Sequence, residues 1–162
     1  MRRKRYTGKA LKPAVTVECN GVKLKKGTDY TVTYKNNKNI GTASVTVKGK
    51  GGYSGKKTVK FTITPKAVNG FTVTEGTSKN TLKWSAVAGA AGYEIEIKKY
   101  ASSSGSQFTY DKTVTKTAKK AAYNHKVSAS SYTAYSYRVR PFATVNGVKI
   151  YGEWSSVINL YF

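Results

Sequence analysis

The stretch Tyr93-Glu94-Ile95-Glu96-Ile97 places an apolar residue at every second position and polar residues between them. Side chains of a β-strand point alternately to the two faces of a sheet, so this period of two predicts a strand with one buried and one wet face. The alternation recurs along the chain, at Val15, Val17 and Cys19; Tyr30, Val32 and Tyr34; Ala43, Val45 and Val47; Val59, Phe61 and Ile63; and Tyr135, Tyr137 and Val139. The sequence therefore predicts an all-β protein.

The charge balance of the chain is strongly basic. Its 162 residues include 29 lysines and arginines against 7 acidic residues, which gives a formal net charge of +22. A charge of this size attracts polyanions and favours solubility, but it does not specify a fold. No apolar run approaches the ~20 residues of a membrane-spanning helix, so we expect no membrane insertion.

A change of pattern near Thr64-Pro65-Lys66-Ala67-Val68-Asn69-Gly70 divides the chain. Proline cannot donate a hydrogen bond to a sheet, and Asn-Gly favours a turn, so this segment predicts a boundary between two small domains. We place the domains at residues 1–66 and 67–162. The first carries 17 basic and 2 acidic side chains (+15) and the second 12 and 5 (+7), so the first is the more basic.

The first domain contains turn signals between its predicted strands. Asn20-Gly21 predicts a tight hairpin, and the glycine-rich segment from Gly49 to Gly55 predicts a turn before the last strand. The motifs Gly27-Thr28-Asp29-Tyr30-Thr31-Val32-Thr33-Tyr34 and Gly49-Lys50-Gly51-Gly52-Tyr53-Ser54-Gly55 resemble an immunoglobulin-like repeat of secreted and wall-associated proteins of Gram-positive bacteria. The resemblance implies a β-sandwich that serves as a spacer or accessory module beside other domains.

The second domain has a different set of motifs, namely Leu82-Lys83-Trp84, Gly92-Tyr93-Glu94-Ile95, Tyr135-Ser136-Tyr137-Arg138-Val139 and Gly152-Glu153-Trp154-Ser155. Together they resemble a bacterial fibronectin type III domain. That resemblance implies a second β-sandwich, in which Trp84 and Tyr93 fill the core and Tyr135 opens the sixth strand and packs a corner. The Ser-, Thr- and Lys-rich region from Ala101 to Lys120 departs from the family pattern, and Ser102-Ser103-Ser104-Gly105-Ser106 is predicted to be a flexible loop.

Residues suited to catalysis are few. Glu94 and Glu96 share one strand face, but they alternate with apolar residues and are predicted to be solvated charges. The only histidine, His125, is predicted to be structural or at the surface, and Cys19 is predicted to be a small core residue. A zinc site or a serine-histidine-acid triad would lack the usual residues. We therefore expect no enzymatic activity, no metal and no cofactor.

Lysines of the first domain carry the main functional signal of the sequence. They fall on predicted wet strand faces or loops, where they could meet phosphate, sulfate or carboxylate groups of polymers, although a merely solvated face is the simpler reading. This candidate polyanion-binding set comprises Lys23, Lys25, Lys26, Lys48, Lys50, Lys56, Lys57 and Lys60.

These features predict two tandem β-sandwich domains, immunoglobulin-like then fibronectin type III-like, in a larger secreted or cell-surface bacterial protein. The expected function is that of a non-catalytic, monomeric structural spacer that presents neighbouring domains in the extracellular space or cell wall and binds anionic polymers weakly. One alternative is an adhesin module that binds a host glycan or host protein through sandwich loops. Another is nonspecific nucleic-acid binding through the basic faces.

Overall fold

The structure is a computed structural model that describes residues 2–103, 107–127 and 134–161. All regular elements in these ranges are β-strands, which confirms the all-β prediction. The chain divides into two compact units, Met1–Thr64 and Pro65–Phe162. The division falls two residues before the boundary that the sequence suggests, at the proline that cannot extend the preceding strand.

The first unit is built on one four-stranded sheet with the strand order β1-β6-β5-β4, accompanied by a two-stranded hairpin of β2 and β3. The antiparallel strands β4, β5 and β6 follow each other in sequence, whereas β1 pairs with β6 in parallel. The strands are β1 (Arg3–Arg5), β2 (Glu18–Cys19), β3 (Val22–Lys23), β4 (Tyr30–Lys35), β5 (Gly41–Gly49) and β6 (Lys56–Thr64).

The hairpin predicted at Asn20-Gly21 is confirmed. Cys19 pairs with Val22, and Asn20 and Gly21 both adopt positive φ, of 49° and 79°, as a two-residue turn of this kind requires. The strand predicted around Val15, Val17 and Cys19 is mostly wrong, because only its end, β2, forms a ladder. Residues 10–17, which precede it, form no regular element.

A segment before the hairpin covers part of the apolar face of the four-stranded sheet. The Tyr34 hydroxyl donates to the carbonyl of Pro13 at 2.6 Å, and the Tyr30 hydroxyl donates to that of Val15 at 3.2 Å. The small core beneath comprises Ala43, Phe61 and Ile63, with Tyr6, Leu11, Tyr34 and Ile40 packed against it.

Two residues predicted for this apolar face are not buried. Val59 is 52% exposed, because a cavity lies between it and residues 13–16 of the covering segment. Cys19 is also exposed. The prediction of a core cysteine is wrong, since β2 belongs to the hairpin and not to a strand inserted above the core.

The second unit has two sheets that share one core. The larger sheet has the order β10-β9-β12-β13, with β14 also paired to β12, and the smaller one has the order β11-β8-β7. The strands are β7 (Thr72–Thr74), β8 (Lys79–Lys83), β9 (Gly92–Ser103), β10 (Gln107–Ala118), β11 (Ala122–Lys126), β12 (Ala134–Val145), β13 (Val148–Tyr151) and β14 (Ile158–Tyr161). The serine-rich loop prediction at residues 102–106 lies partly outside the described residues, and Ser102 and Ser103 belong to β9.

Aromatic and branched side chains from both sheets fill this core. Trp84 and Tyr93 are 6% and 4% exposed and occupy the core positions expected for them, and Tyr135, expected at a corner, is 3% exposed and belongs to the same core. The rings of Trp84 and Tyr93 meet edge to face at 5.1 Å, a favourable aromatic geometry. Their neighbours include Leu82, Ile95, Ile97, Tyr137 and Val139. Packing of this core fixes which face of the larger sheet points outward.

Candidate anion-binding site

The outer face of the four-stranded sheet in the first unit carries a group of exposed cations. The Thr46 and Thr58 hydroxyls lie 2.9 Å apart on this face, which identifies the outward residues of β5 and β6. Every second residue from them points the same way. We call the resulting set the cationic face, which consists of Arg3, Arg5, Lys35, Lys48, Lys56 and Lys60, all exposed.

Two of these lysines stand directly opposite each other. Lys48 of β5 pairs in register with Lys56 of β6. Directly opposed residues have Cβ atoms ~5 Å apart, and like charges at this distance destabilise a sheet. Within the described residues neither lysine forms an ion pair, so a bound anion between them would relieve the repulsion.

The acidic residues of the first unit lie away from this face. Only Glu18 and Asp29 are available there. Glu18 lies opposite Lys23 in the backbone register of the hairpin. The Asp29 carboxylate accepts a hydrogen bond from the backbone N–H of Lys25 at 2.7 Å. The positive charge of the cationic face is therefore not neutralised by carboxylates of its own unit.

A second pair of cations lies further along the same sheet. Lys35 of β4 is opposite Ser44 of β5, which in turn is opposite Lys60 of β6. Lys60 follows Lys56 by four residues, a distance of ~13 Å along a strand. The threonines Thr33, Thr46 and Thr58 form the row between this pair and the pair of Lys48 and Lys56. Such a surface of ammonium and hydroxyl donors suits the phosphate, sulfate or carboxylate groups of an extended polymer.

The structure separates the other predicted lysines from this face. Lys23, Lys25 and Lys26 lie in or beside the hairpin and the following turn, and Lys57 points to the apolar face, opposite Val47. The Lys50 ammonium donates to the carbonyl of Gly27 at 2.7 Å and so joins two turns. Of the eight predicted residues, the cationic face therefore includes Lys48, Lys56 and Lys60.

The sequence interpretation missed Arg3, Arg5 and Lys35. Arg3 reaches this face because β1 pairs in parallel with the distant β6, where Arg3 is opposite Thr62. That pairing has no local sequence signal. Lys35, in contrast, continues the alternation of Tyr30, Val32 and Tyr34, and strand periodicity could have identified it.

The carboxylates of β9 are not solvated, so that prediction is wrong. Glu94 is buried and accepts hydrogen bonds from Nε and Nη2 of Arg140 at 2.8 and 2.5 Å. Glu96 accepts one from Nη2 of Arg138 at 2.9 Å. The Arg138 Nε atom lies 2.8 Å from the other Glu96 oxygen without hydrogen-bond geometry, so that contact is electrostatic only.

Aromatic rings cover these ion pairs. The two guanidinium groups lie 4.5 and 4.3 Å from the ring centre of Trp154, and Arg140 lies 3.9 Å from that of Tyr151. Cation–π contacts of this kind hold a guanidinium in place and exclude water from its partner. The two glutamates are thus held as ion-pair partners on the outer face of the sheet.

His125 is a buried residue in a polar network of the core. Its Nδ1 atom lies 3.0 Å from the Tyr137 hydroxyl, which accepts a hydrogen bond from Nδ2 of Asn80 at 2.8 Å. In the neutral imidazole that carries its proton on Nε2, Nδ1 can accept the hydrogen bond that this hydroxyl still has to donate. Burial, with repulsion from Lys99 and Lys116, lowers the pKa of His125 from 6.5 to about 4. The histidine is therefore neutral and inaccessible near pH 7.

Two particular features are absent from the part of the chain that the structure describes. No three histidine, cysteine, aspartate or glutamate residues there are grouped as a metal site would need. The same ranges contain no helix with the length and hydropathy to cross a membrane. No protein-family model and no curated protein matches this chain.

Proposed function

We propose that this chain is a non-catalytic segment of a secreted or cell-surface bacterial protein, and that its first unit binds anionic polymers through the cationic face. The observation that carries the proposal is the direct opposition of Lys48 and Lys56 on a face that lacks carboxylates of its own unit. Like charges directly opposite each other destabilise a sheet, and a bound anion between the two lysines would offset this cost.

The motifs quoted above support a finer description, in which an immunoglobulin-like domain precedes a fibronectin type III-like domain. The arrangement of the second unit, with two antiparallel sheets around a core containing Trp84, Tyr93 and Tyr135, supports a fibronectin-like sandwich. The buried neutral histidine and the paired glutamates support a non-catalytic role. On this view the protein attaches neighbouring domains to phosphate-rich polymers of the wall.

Binding to lipoteichoic acid at several salt concentrations tests the proposal. A variant with Lys48→Gln, Lys56→Gln and Lys60→Gln is compared with one carrying Lys9→Gln, Lys12→Gln and Lys38→Gln, which are exposed lysines of the same unit outside the cationic face. Both variants lose three charges. We expect the first to bind at least tenfold more weakly at ~50 mM salt and with a smaller salt slope, because fewer counterions are released. Equal loss in both variants would reduce the effect to net charge and contradict the proposal.

A further inference from the structure

The apolar face of the four-stranded sheet in the first unit is covered unevenly. Val45 of β5 and Val59 of β6 lie directly opposite each other and therefore point to the same face. Val45 is 8% exposed, whereas Val59 is 52% exposed. The difference marks one side of a cavity that lies between the covering segment and the sheet.

This cavity is large enough for a small molecule and is mainly apolar. Its volume of about 520 Å³ falls within the ~300–1,000 Å³ that is usual for ligand sites. Its walls come from residues 13–16 of the covering segment and from residues of β5 and β6. The apolar residues that line it are Pro13, Ala14, Val15, Val45, Val59 and Phe61. A lining of this kind favours a ligand with a hydrocarbon part.

Two tyrosine hydroxyls of β4 hold the covering segment in place. The bonds from Tyr34 to the carbonyl of Pro13 and from Tyr30 to that of Val15 fix the backbone on both sides of Ala14, an exposed residue. The wall that this segment contributes therefore exists without a ligand. A preformed wall lowers the cost of ordering when a ligand binds.

Two cations lie at the β1 side of the cavity. Lys4 is opposite Ile63 in the pairing of β1 with β6, so it points to the apolar face and away from the cationic face. Arg2 precedes it by two residues, and both side chains line the cavity, as Lys60 does from the edge of the cationic face. Within the described residues neither Arg2 nor Lys4 forms an ion pair. An anionic group is therefore the natural partner for this end of the cavity.

The width of the sheet sets the length of a suitable ligand. β1 and β5 are separated by two strand spacings, ~10 Å, with β6 between them. An extended alkyl chain gains ~1.3 Å per carbon from its bond lengths and angles, so about eight carbons span this distance. A ligand whose anionic head lies at Arg2 and Lys4 would thus extend its chain over Val59 towards Val45.

An exposed valine alone carries no functional meaning. Val22 of the hairpin, which is 58% exposed, is an ordinary surface residue of this kind. Val59 differs from Val22 because it lines a cavity that also contains two cations. An extended peptide suits the cavity less well than an alkyl chain, because its backbone N–H and C=O groups would need partners that a mainly hydrocarbon lining does not provide.

We propose that this cavity binds a free single-chain amphiphile with a carboxylate head, such as a medium-chain fatty acid. Arg2 and Lys4 pair with the carboxylate, and the alkyl chain packs between the covering segment and Val59. The site lies on the opposite face of the sheet from the cationic face and requires apolar contact. It therefore goes beyond the polymer binding proposed above and does not depend on it.

Nuclear magnetic resonance titration of the full chain with octanoate near pH 7 and at ~150 mM salt tests the site, since this salt concentration weakens nonspecific charge effects. We expect saturable amide shift changes at Ala14, Val15, Val59 and Phe61. Binding should strengthen by up to about fourfold per methylene group from butanoate to octanoate, because each added group buries apolar surface. Acetate, which has the charge without the chain, should cause no such changes.

One pair of variants tests the head group. Arg2→Gln with Lys4→Gln should weaken octanoate binding about fivefold, in proportion to two exposed ion pairs, and leave 1-octanol binding unchanged. Lys48→Gln with Lys56→Gln removes the same number of charges from the cationic face and should bind octanoate like the parent. In the parent, uncharged 1-octanol should bind about fivefold more weakly than octanoate for the same reason.

A second pair of variants tests the chain. Val59→Ser should weaken the binding of both octanoate and 1-octanol roughly fivefold, because it removes an apolar contact from the cavity. Val22→Ser replaces the similarly exposed valine of the hairpin and should bind both ligands like the parent. The amide spectra of the variants without ligand verify that each is folded.

Several results would overturn the proposal. These are an absence of shift changes at millimolar octanoate, equal binding of acetate or 1-octanol, and equal losses in the two double-lysine or arginine-lysine variants. Normal binding by Val59→Ser would also overturn it. So would tighter binding of an acidic peptide, tested as hexaglutamate, that displaces octanoate from the same amides.

Discussion

Glu94 accepts two hydrogen bonds from the guanidinium of Arg140, a residue of the neighbouring strand that is 46 positions away in the chain. The two side chains are 12% and 27% exposed, and the rings of Tyr151 and Trp154 lie against the arginine. A charge in such surroundings is stable only while its partner is present. The ion pair therefore makes the outer face of the larger sheet sensitive to loss of either charge.

We expect Glu94→Gln to destabilise the second unit by roughly 2 kcal/mol, less than the ~3–5 kcal/mol of a fully buried pair because Arg140 keeps some contact with water. Urea unfolding followed by tryptophan fluorescence measures this change, since both tryptophans, Trp84 and Trp154, belong to the second unit. Glu75→Gln removes an exposed carboxylate of the same unit and should change stability by less than ~0.5 kcal/mol. Similar losses in both variants would refute a special role for the pair.

The buried histidine predicts a pH dependence of stability. In the unfolded chain His125 binds a proton near pH 6.5, whereas the folded protein lowers its pKa to about 4. The unfolded state therefore gains protons first as the pH falls, and stability decreases through this window. We expect a loss of about 2 kcal/mol for the second unit between pH 7 and pH 5.

The same urea titrations at pH 7, 6 and 5 measure that loss. His125→Gln removes the only histidine of the chain and should leave stability nearly constant over this range, whatever its effect at pH 7. An unchanged pH slope in the variant would assign the effect to other groups.

The glycine-rich turn of the first unit offers a matched pair of substitutions. A Cβ atom at Gly49 would lie 2.7 Å from the carbonyl oxygen of Tyr53 and 2.8 Å from that of Ser54, whereas one at Gly52 would meet nothing within 4 Å. We expect Gly49→Ala to cost roughly 2 kcal/mol through displacement of the turn, and Gly52→Ala less than ~0.5 kcal/mol. Thermal unfolding followed by far-ultraviolet circular dichroism compares them, and equal melting temperatures would contradict the turn geometry.

The exposed position of Cys19 predicts ready chemical modification. The thiol should react with a small disulfide reagent in the folded protein at a rate within about tenfold of that in denaturant, because no packing blocks access to it. Stopped-flow absorbance measures both rates. A thiol that reacts only after unfolding would restore the core position that the alternation of Val15, Val17 and Cys19 suggests.

Strand periodicity predicted what depends on neighbouring residues in the chain. The alternation along β4, β5 and β6 was sufficient to place Tyr34, Val45 and Phe61 on one face and Lys48, Lys56 and Lys60 on the other. The Asn20-Gly21 turn was likewise predictable, because positive φ is a local requirement of that hairpin.

Features that depend on pairing between distant segments were not predictable. Arg3 joins the cationic face through a parallel pairing with β6, and Arg140 reaches Glu94 across two paired strands. The alternation of β9 correctly put Glu94 on the outer face, yet it could not show that Arg140, Tyr151 and Trp154 cover that face. A single-strand pattern tells which face a residue occupies, but not what covers it.

The outer face of the first sheet is the surface proposed to bind polyanions. Nuclear magnetic resonance titration of the full chain with polyphosphate locates binding directly, residue by residue. We expect amide shift changes concentrated in β4, β5 and β6 and largest near Lys48, Lys56 and Lys60. Dissociation should be fast, and salt should weaken the shift changes. Shift changes concentrated in the hairpin lysines or in the second unit, with β5 and β6 unaffected, would contradict it.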